Sequence, residues 1–144
     1  MVVFISEIEL RSSCTFELID ITARVKSAVA KSRMKNGVAV ITSQHTTASI
    51  VVNESEEGFF TDFKTALEKL APRTVAYKHN FAHRASPACE PENGHSHVLA
   101  SLIGCSQTLP IVNGKLKLGQ WQSVFLVELD CARPRVVTIT VIGE

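Results

Sequence analysis

The sequence predicts a single α+β domain over residues 1–144, in which a largely antiparallel sheet or sandwich packs against two to three helices. The length of 144 residues, with 45% hydrophobic residues, suits one ordinary core and leaves little room for a second domain. About eight segments have strand-like composition, and three have helix-like periodicity. Hairpin-type turns between strand segments favour antiparallel pairing, which is typical of the α+β class.

Four strands are predicted in the first half of the chain. Residues 2–10 largely alternate between apolar and polar, and residues 15–21 are again β-branched and aromatic. The polar residues 11–13 between them predict a hairpin. Two continuous apolar runs of strand length, residues 38–42 and 50–52, predict strands that are buried on both faces.

Three helices are predicted from apolar periodicity. Thr22 is a suitable N-cap for the first, and Asn36, which precedes a glycine, is expected to end it. The second helix carries a stripe of Phe and Leu side chains over residues 59–70 and stops before Pro72. A short third helix is predicted over residues 96–103.

The remaining segments are a long loop and the C-terminal strands. Residues 76–91 show no clear period and contain two prolines, which predicts a long loop of the kind that often carries function. An Asn-Gly turn at residues 113–114 predicts a hairpin. The strands expected around and after it are residues 108–112, 115–118, 121–129 and 136–142.

Charge and cysteine content exclude several classes of protein. The net charge of +1, from 15 basic and 14 acidic residues, creates no global field for nucleic acid or an anionic membrane, so neither is an expected partner. No run reaches the roughly 18 to 20 apolar residues of a membrane span, and Glu7 interrupts the apolar N-terminus too early for a signal peptide. We therefore expect a soluble cytoplasmic protein. Four separated cysteines without a C-x-x-C pair predict free thiols, namely Cys14, Cys89, Cys105 and Cys131.

Two histidines beside an Asn-Gly turn are the first candidates for chemistry. His95 and His97 face the same way only in an extended backbone, because in a helix their side chains lie about 200° apart. The helix signal begins near Ser96, so we favour His97 as a metal ligand or general acid/base. A helix-entry histidine that bonds only to backbone is an equally open interpretation.

His45 lies in a polar segment between two strands that are predicted to be buried. Its position at a strand end suits a polar pocket at the edge of the core. Neighbouring hydroxyls with backbone N–H groups could hold phosphate oxygens, or they could only satisfy the backbone of a turn. These hydroxyl residues are Thr46, Thr47 and Ser49.

A zinc site needs three or four protein ligands, and the histidines of the chain are numerous enough for one. His45, His79 and His97 could supply three of them. His83 is four residues from His79, but nearby prolines make a helix there doubtful, and we interpret it as a solvated loop residue.

The C-terminal strands supply the remaining candidates. Arg133 and Arg135 could form an anion clamp at the rim of a cavity, or they could pair with Glu128 and Asp130. Trp121 could stack on a flat ligand, but core packing is the preferred interpretation.

Five motifs together resemble a known family over nearly the whole chain. Four of them occupy residues 43–49, 53–56, 77–79 and 93–97. The most specific one runs from Ser106 through Pro110, Gly114, Gly119, Trp121 and Gln122. In residue type and spacing they are similar to the YjbQ-like family, whose members are often labelled secondary thiamine-phosphate synthase enzymes.

The resemblance implies a small α+β protein that assembles as a homotrimer and holds a divalent metal ion, zinc or magnesium. By motif position the implied ligands are His45, His79 and His97, and we expect His97 and His45 to be catalytic. Thiamine-phosphate synthesis would join a pyrimidine-methyl pyrophosphate to a thiazole phosphate and release pyrophosphate. The metal and three basic residues would neutralise the pyrophosphate that leaves this small phosphorylated, anionic substrate. Those residues are Lys78, Arg133 and Arg135.

A non-catalytic trimeric protein that binds a metal or a small anion is the alternative function. It stays open because the sequence contains no obvious nucleophile–base pair. Two departures from the family pattern lie near the expected pocket. Cys131-Ala132 replaces the usual Gly-Pro before Arg133, and the Pro-rich loop 84–91 is longer than in the family.

Overall fold

The computed structural model describes residues 1–82 and 92–144, which form eight strands and four helices. The strands are β1 (Val2–Arg11), β2 (Glu17–Asp20), β3 (Gly37–Ser43), β4 (Ala48–Glu54), β5 (Ser106–Val112), β6 (Lys115–Leu116), β7 (Gln122–Glu128) and β8 (Pro134–Gly143). The helices are α1 (Thr22–Ser32), α2 (Glu57–Leu70), α3 (Lys78–Ala82) and α4 (Gly94–Ile103).

The strands form two antiparallel sheets. The larger sheet has the order β1-β8-β3-β5-β6, and the smaller has the order β2-β7-β4. Central strand β7 is buried on both faces from Val124 to Glu128, as its continuous apolar run requires. The α+β class and the antiparallel pairing predicted from the sequence are confirmed.

The predicted hairpin between the first two strands is wrong. β1 pairs with β8 in the larger sheet, whereas β2 pairs with β7 in the smaller one. The chain crosses between the sheets through Ser12, whose backbone N–H donates to the Arg133 carbonyl, and through Phe16, which adopts a left-handed backbone with φ of 56°. Alternation alone sets which face of a strand is buried and says nothing about its partner.

Two hydrophobic clusters lie on opposite faces of the smaller sheet. The first fills the space between the two sheets and α1, and it includes Val25, Ile41, Ile50, Leu126 and Ile139. The second lies under α2 and α4, and it includes Leu67, Leu99, Val127 and Leu129. Helix α4 is therefore packed against the smaller sheet through Leu99, which shares this cluster with Val127.

Three predicted helix boundaries differ from the structure. Helix α1 begins at Thr22 itself, because the Asp20 side chain accepts the Thr22 N–H at 2.8 Å. It ends at Arg33, which takes the left-handed C-cap conformation, before the Asn-Gly pair. Helix α4 begins at Gly94, two residues before its predicted start, so both neighbouring histidines lie on it.

The segment predicted as a long loop contains the short helix α3, and Tyr77 before it packs against the second cluster. His83, Cys89 and the loop 84–91 lie outside the described residues. Cys14, Cys105 and Cys131 are free thiols.

Trp121 is 67% exposed, so the prediction that it packs in the core is wrong. It lies in a turn in which the Gly119 N–H donates to Oε1 of Gln122 at 2.8 Å, just before β7 begins. The buried positions of β7 are occupied by residues that follow Trp121 in the chain, beginning with Val124. Within the described ranges, no helix has the length and apolar character needed to cross a membrane.

Candidate functional site

A solvent-open cleft of about 570 Å³ lies where the end of β3 meets α4. Its volume falls in the range of small-molecule sites. The turn between β3 and β4 forms one wall, and the exposed edge of α4 with the residues after it forms the other. The lining residues are Ser43, Gln44, His45, Thr46, His97, Ala100, Ser101, Gly104 and Cys105.

The turn that carries His45 is tied to the start of β8. The Val136 N–H donates to Nε2 of His45 at 2.7 Å, and the Gln44 N–H donates to the Val136 carbonyl at 3.3 Å. The His45 N–H donates to the Ser43 hydroxyl at 3.3 Å. The ring of His45 is consequently held at the cleft by backbone groups rather than by a flexible side chain.

This arrangement selects the neutral form of His45. Burial lowers the pKa of His45 below its ordinary value, and the positive charge of Arg135 lowers it further, while Glu128 opposes the shift. An Nε2 atom that accepts a hydrogen bond cannot carry a proton, so the neutral ring has its proton on Nδ1. Among the described residues, no acceptor for that Nδ1–H is recorded.

His97 reaches the cleft from the first turns of α4, and His79 lies behind it. The rings of His79 and His97 have centroids 4.3 Å apart at an interplanar angle of 55°. The approach of α3 to α4 requires glycine at position 94, because a Cβ there would lie 2.4 Å from Cβ of Tyr77. Gly94 also donates its N–H to Oδ1 of Asn80 at 2.9 Å.

His95 points away from the cleft, as helical spacing requires. It is 6% exposed, and its Nε2 lies 3.1 Å from the Ser96 hydroxyl. Its ring is near Tyr77, with centroids 6.4 Å apart. Burial, and then the charge of Arg73, lower the pKa of His95, whereas Asp130 opposes this and His97 adds to it. His95 is a neutral histidine of the core.

The two arginines predicted as an anion clamp each form an internal ion pair. Nε of Arg135 donates to Oε2 of Glu128 at 2.6 Å, and both side chains are buried. Nη2 of Arg133 lies 2.9 Å from Oδ2 of Asp130. The lining of the cleft, as far as the chain is described, includes neither arginine.

The predicted hydroxyl cluster is split by burial. Thr46 is exposed and lines the cleft. Thr47 is buried and accepts a hydrogen bond from Nη2 of Arg135 at 3.1 Å, and Ser49 is fully buried. Lys78 is exposed at the start of α3. The cleft thus brings together three of the predicted residues, His45, Thr46 and His97.

Two of the lining residues that were not predicted, Ser101 and Cys105, lie on α4 or just after it. Ser101 lies one turn after His97 on α4 and donates its hydroxyl to the His97 carbonyl at 2.9 Å. Cys105 is exposed beside Gly104, and its carbonyl accepts the Ser43 N–H at 2.8 Å. The i, i+4 spacing from His97 is the signal in the sequence that could have identified Ser101.

Comparison with known proteins gives one consistent result. The family description "UPF0047 protein YjbQ-like" matches residues 6–144. A UPF0047 protein of Methanothermobacter thermautotrophicus is 38% identical over 144 residues, covering 100% of this chain and 95% of the relative. A UPF0047 protein of Methanocaldococcus jannaschii is 36% identical and covers 94% and 92%.

Solved structures agree with these relatives. A crystal structure of a YbjQ-like protein of unknown function from Sulfolobus solfataricus P2 superimposes with a TM-score of 0.91 at 37% identity, covering 99% of both chains. An uncharacterised protein of the YjbQ/UPF0047 family from Clostridium acetobutylicum gives 0.85 at 39% identity, covering 95% of this chain and 99% of that one.

These findings correct the predicted function. The relatives carry no thiamine-phosphate synthase name, so the prediction of a metal-dependent enzyme of that kind is wrong. Across residues 1–82 and 92–144, no group of three or more His, Cys, Asp or Glu side chains is arranged to hold a metal ion. Nε2 of His45 accepts the Val136 N–H, and the individual roles expected for His45, His79 and His97 stay predictions. The alternative of a trimeric metal- or anion-binding protein is no better supported.

Proposed function

Since the chain belongs to the YjbQ-like UPF0047 family, we propose from the cleft alone that it binds a small polar molecule and acts on it by acid–base chemistry. The single observation that carries this proposal is the fixed neutral ring of His45 in a cleft that also contains His97.

His45 has the properties of a neutral hydrogen-bond donor. Its Nε2 is occupied by the Val136 N–H, so the ring offers Nδ1–H to an oxygen of a bound molecule. A neutral imidazole can polarise a carbonyl oxygen without becoming charged, and it does so best where water is partly excluded. A molecule with a carbonyl oxygen is therefore the substrate class that this ring fits.

His97 is the second group of the proposed site and acts in proton transfer. Imidazole exchanges protons near neutral pH, and His97 faces the same cleft as His45. Ser101 and Thr46 add hydroxyl groups at the rim that can orient a polar ligand. In this scheme His45 polarises the carbonyl, while His97 takes a proton from an attacking water or returns one to a leaving group.

Hydrolysis of p-nitrophenyl acetate tests this function, because the ester carries an activated carbonyl. We expect His45→Gln and His97→Gln to lower the rate towards the lower end of the roughly 10²–10⁴-fold range of general acid–base catalysis. Lys117→Gln is the control, since Lys117 is exposed and lies outside the cleft lining. Equal rates for all four proteins would disprove the proposed chemistry.

Self-association into a homotrimer, which the family resemblance implies, stays a prediction. The outer face of the larger sheet supports it, because Val3 and Ile5 on β1 are 57% and 63% exposed and no described helix covers them. Light scattering after gel filtration should give three times 15.7 kDa. A single 15.7 kDa species at all concentrations would contradict a trimer.

A further inference from the structure

We propose that the buried pair Glu128–Arg135 is a positioning device for His45, which holds the turn so that Nε2 accepts the Val136 N–H and Nδ1 carries the proton. The inference deepens the proposed function and rests on it for its use. It concerns two residues that do not line the cleft, and it follows from how the ends of β7 and β8 are joined.

The carboxylate of Glu128 is held by four donors. Oε2 accepts from Nε of Arg135 at 2.6 Å and from the Ser12 hydroxyl at 2.8 Å. Oε1 accepts from Nη2 of Arg135 at 2.5 Å and from the Asp130 N–H at 2.9 Å. Glu128 is 0% and Arg135 3% exposed. The two charges are therefore locked in one bidentate geometry inside the protein.

A buried ion pair contributes little net stability compared with apolar residues of similar volume, because desolvation offsets the attraction. Its geometry, in contrast, is specific. The ion pair joins Glu128, the last residue of β7, to Arg135, the second residue of β8. The adjoining ends of both strands anchor the turn that carries His45.

The anchors are made by the pair itself and by the residues next to it. Arg135 donates from Nη2 to the Thr47 hydroxyl at 3.1 Å. Leu129, which follows Glu128, donates its N–H to the Thr47 carbonyl at 3.2 Å. Val136, which follows Arg135, donates to Nε2 of His45 at 2.7 Å and accepts from Gln44. The turn is thus fixed on both sides of His45.

The tautomer of His45 depends on these anchors. A hydrogen bond of 2.7 Å to the ring is lost if the turn moves by about 1 Å, because such bonds weaken rapidly beyond their normal range. Without the bond, the proton can move to Nε2, which is the tautomer that a solvent-exposed histidine favours. The ring would then present an acceptor at Nδ1 where the proposed site needs a donor.

Long-range ¹H–¹⁵N correlation spectra of the imidazole rings test the proposal, with the His45 signals assigned from their loss in His45→Gln. At a pH where the ring is neutral, we expect the Nδ1–H pattern for His45 in the wild type. Arg135→Lys keeps the positive charge but loses the bidentate guanidinium, so His45 should show a mixture of the Nδ1–H and Nε2–H tautomers. The double variant Glu128→Leu/Arg135→Met removes both charges while filling the space, so it carries the test if the single variant does not fold.

Ser12→Ala is the matched control, because Ser12 bonds to the same carboxylate, and within the described residues its hydroxyl donates to neither Arg135 nor the turn. It should retain the Nδ1–H pattern. An unchanged Nδ1–H pattern in the folded double variant would overturn the proposal, as would an Nε2–H pattern in the wild type.

The ester assay separates this inference from the proposed function. A changed tautomer in the double variant with wild-type turnover would support positioning and disprove the function. An activity that depends on His45, together with a tautomer that is indifferent to the pair, would support the function and disprove positioning.

Discussion

His45 and His95 both carry an imidazole whose pKa lies below its ordinary value, and burial is the largest cause for each. Each also has an arginine that lowers the pKa and a carboxylate that opposes it. They differ in what surrounds the ring. His45 is half-buried at an open cleft and bonds to a backbone N–H, whereas His95 is 6% exposed on the buried face of α4.

The difference separates two uses of a neutral histidine. In the core, a neutral ring is an amphipathic packing group whose polar atoms need partners, and Ser96 supplies one for His95. At a cleft, a neutral ring with one nitrogen fixed has the other available for a ligand. A lowered pKa therefore identifies a functional histidine only in combination with access.

Arg135→Ala should have the largest effect on the difference between the two histidines. It removes the side chain that donates to Thr47 in the His45 turn, and it leaves Glu128 charged and buried. We expect a loss of about 3–5 kcal/mol in the free energy of unfolding, measured by urea denaturation. The double variant Glu128→Leu/Arg135→Met should lie much closer to the wild type. A cost below about 1 kcal/mol for Arg135→Ala would show that the pair behaves like a surface ion pair.

Replacing each histidine by alanine is expected to give unequal losses of stability. His95→Ala removes a packed ring and should cost about 1–3 kcal/mol. His45→Ala should cost about 1 kcal/mol or less, because the ring is half-exposed and water can reach the freed Val136 N–H. Denaturation curves at pH 7.5 compare the two directly. A larger loss for His45→Ala would mean that the ring is chiefly structural.

Acid should destabilise the protein through both rings. The folded-state pKa of each lies below the ordinary value of 6.5 that the unfolded chain has, so the unfolded state binds more protons in this window. Stability is fully present above 6.5 and is lost as the pH falls from there through the folded-state values. The free energy of unfolding, measured from pH 7.5 to 5, should fall less in His95→Gln than in the wild type. Identical slopes would contradict a lowered pKa for His95.

The sequence predicted the parts of this comparison that depend on local periodicity. Helical spacing separated the directions of His95 and His97, and the two apolar runs around His45 placed it at a strand end. The positions of most strands followed from the same patterns. These properties are set by near neighbours in the chain.

What the sequence could not predict depends on long-range pairing. That β1 and β2 belong to different sheets is decided by their pairing with β8 and β7, more than a hundred residues away. The acceptor role of His45 Nε2 comes from Val136, which is 91 residues further along the chain. The arginines were open to two interpretations, and only the fold shows that Glu128 and Asp130 already neutralise them.

The smallest change in stability is expected from replacing the serine next to each histidine, Ser96 beside His95 and Ser43 beside His45. These substitutions compare the two sites at the level of single hydrogen bonds. Ser96 is fully buried and donates to the Leu129 carbonyl at 2.6 Å, so Ser96→Ala should cost about 1 kcal/mol. Ser43 is 4% exposed at the wall of the cleft and accepts the His45 N–H at 3.3 Å, a longer and weaker bond, so Ser43→Ala should cost about 0.5 kcal/mol or less. Urea denaturation of both variants in one buffer measures the difference. A cost for Ser43→Ala that equals that of Ser96→Ala would mean that the His45 turn is as closed to water as the core, and the distinction between the two histidines would then rest on their hydrogen bonds alone.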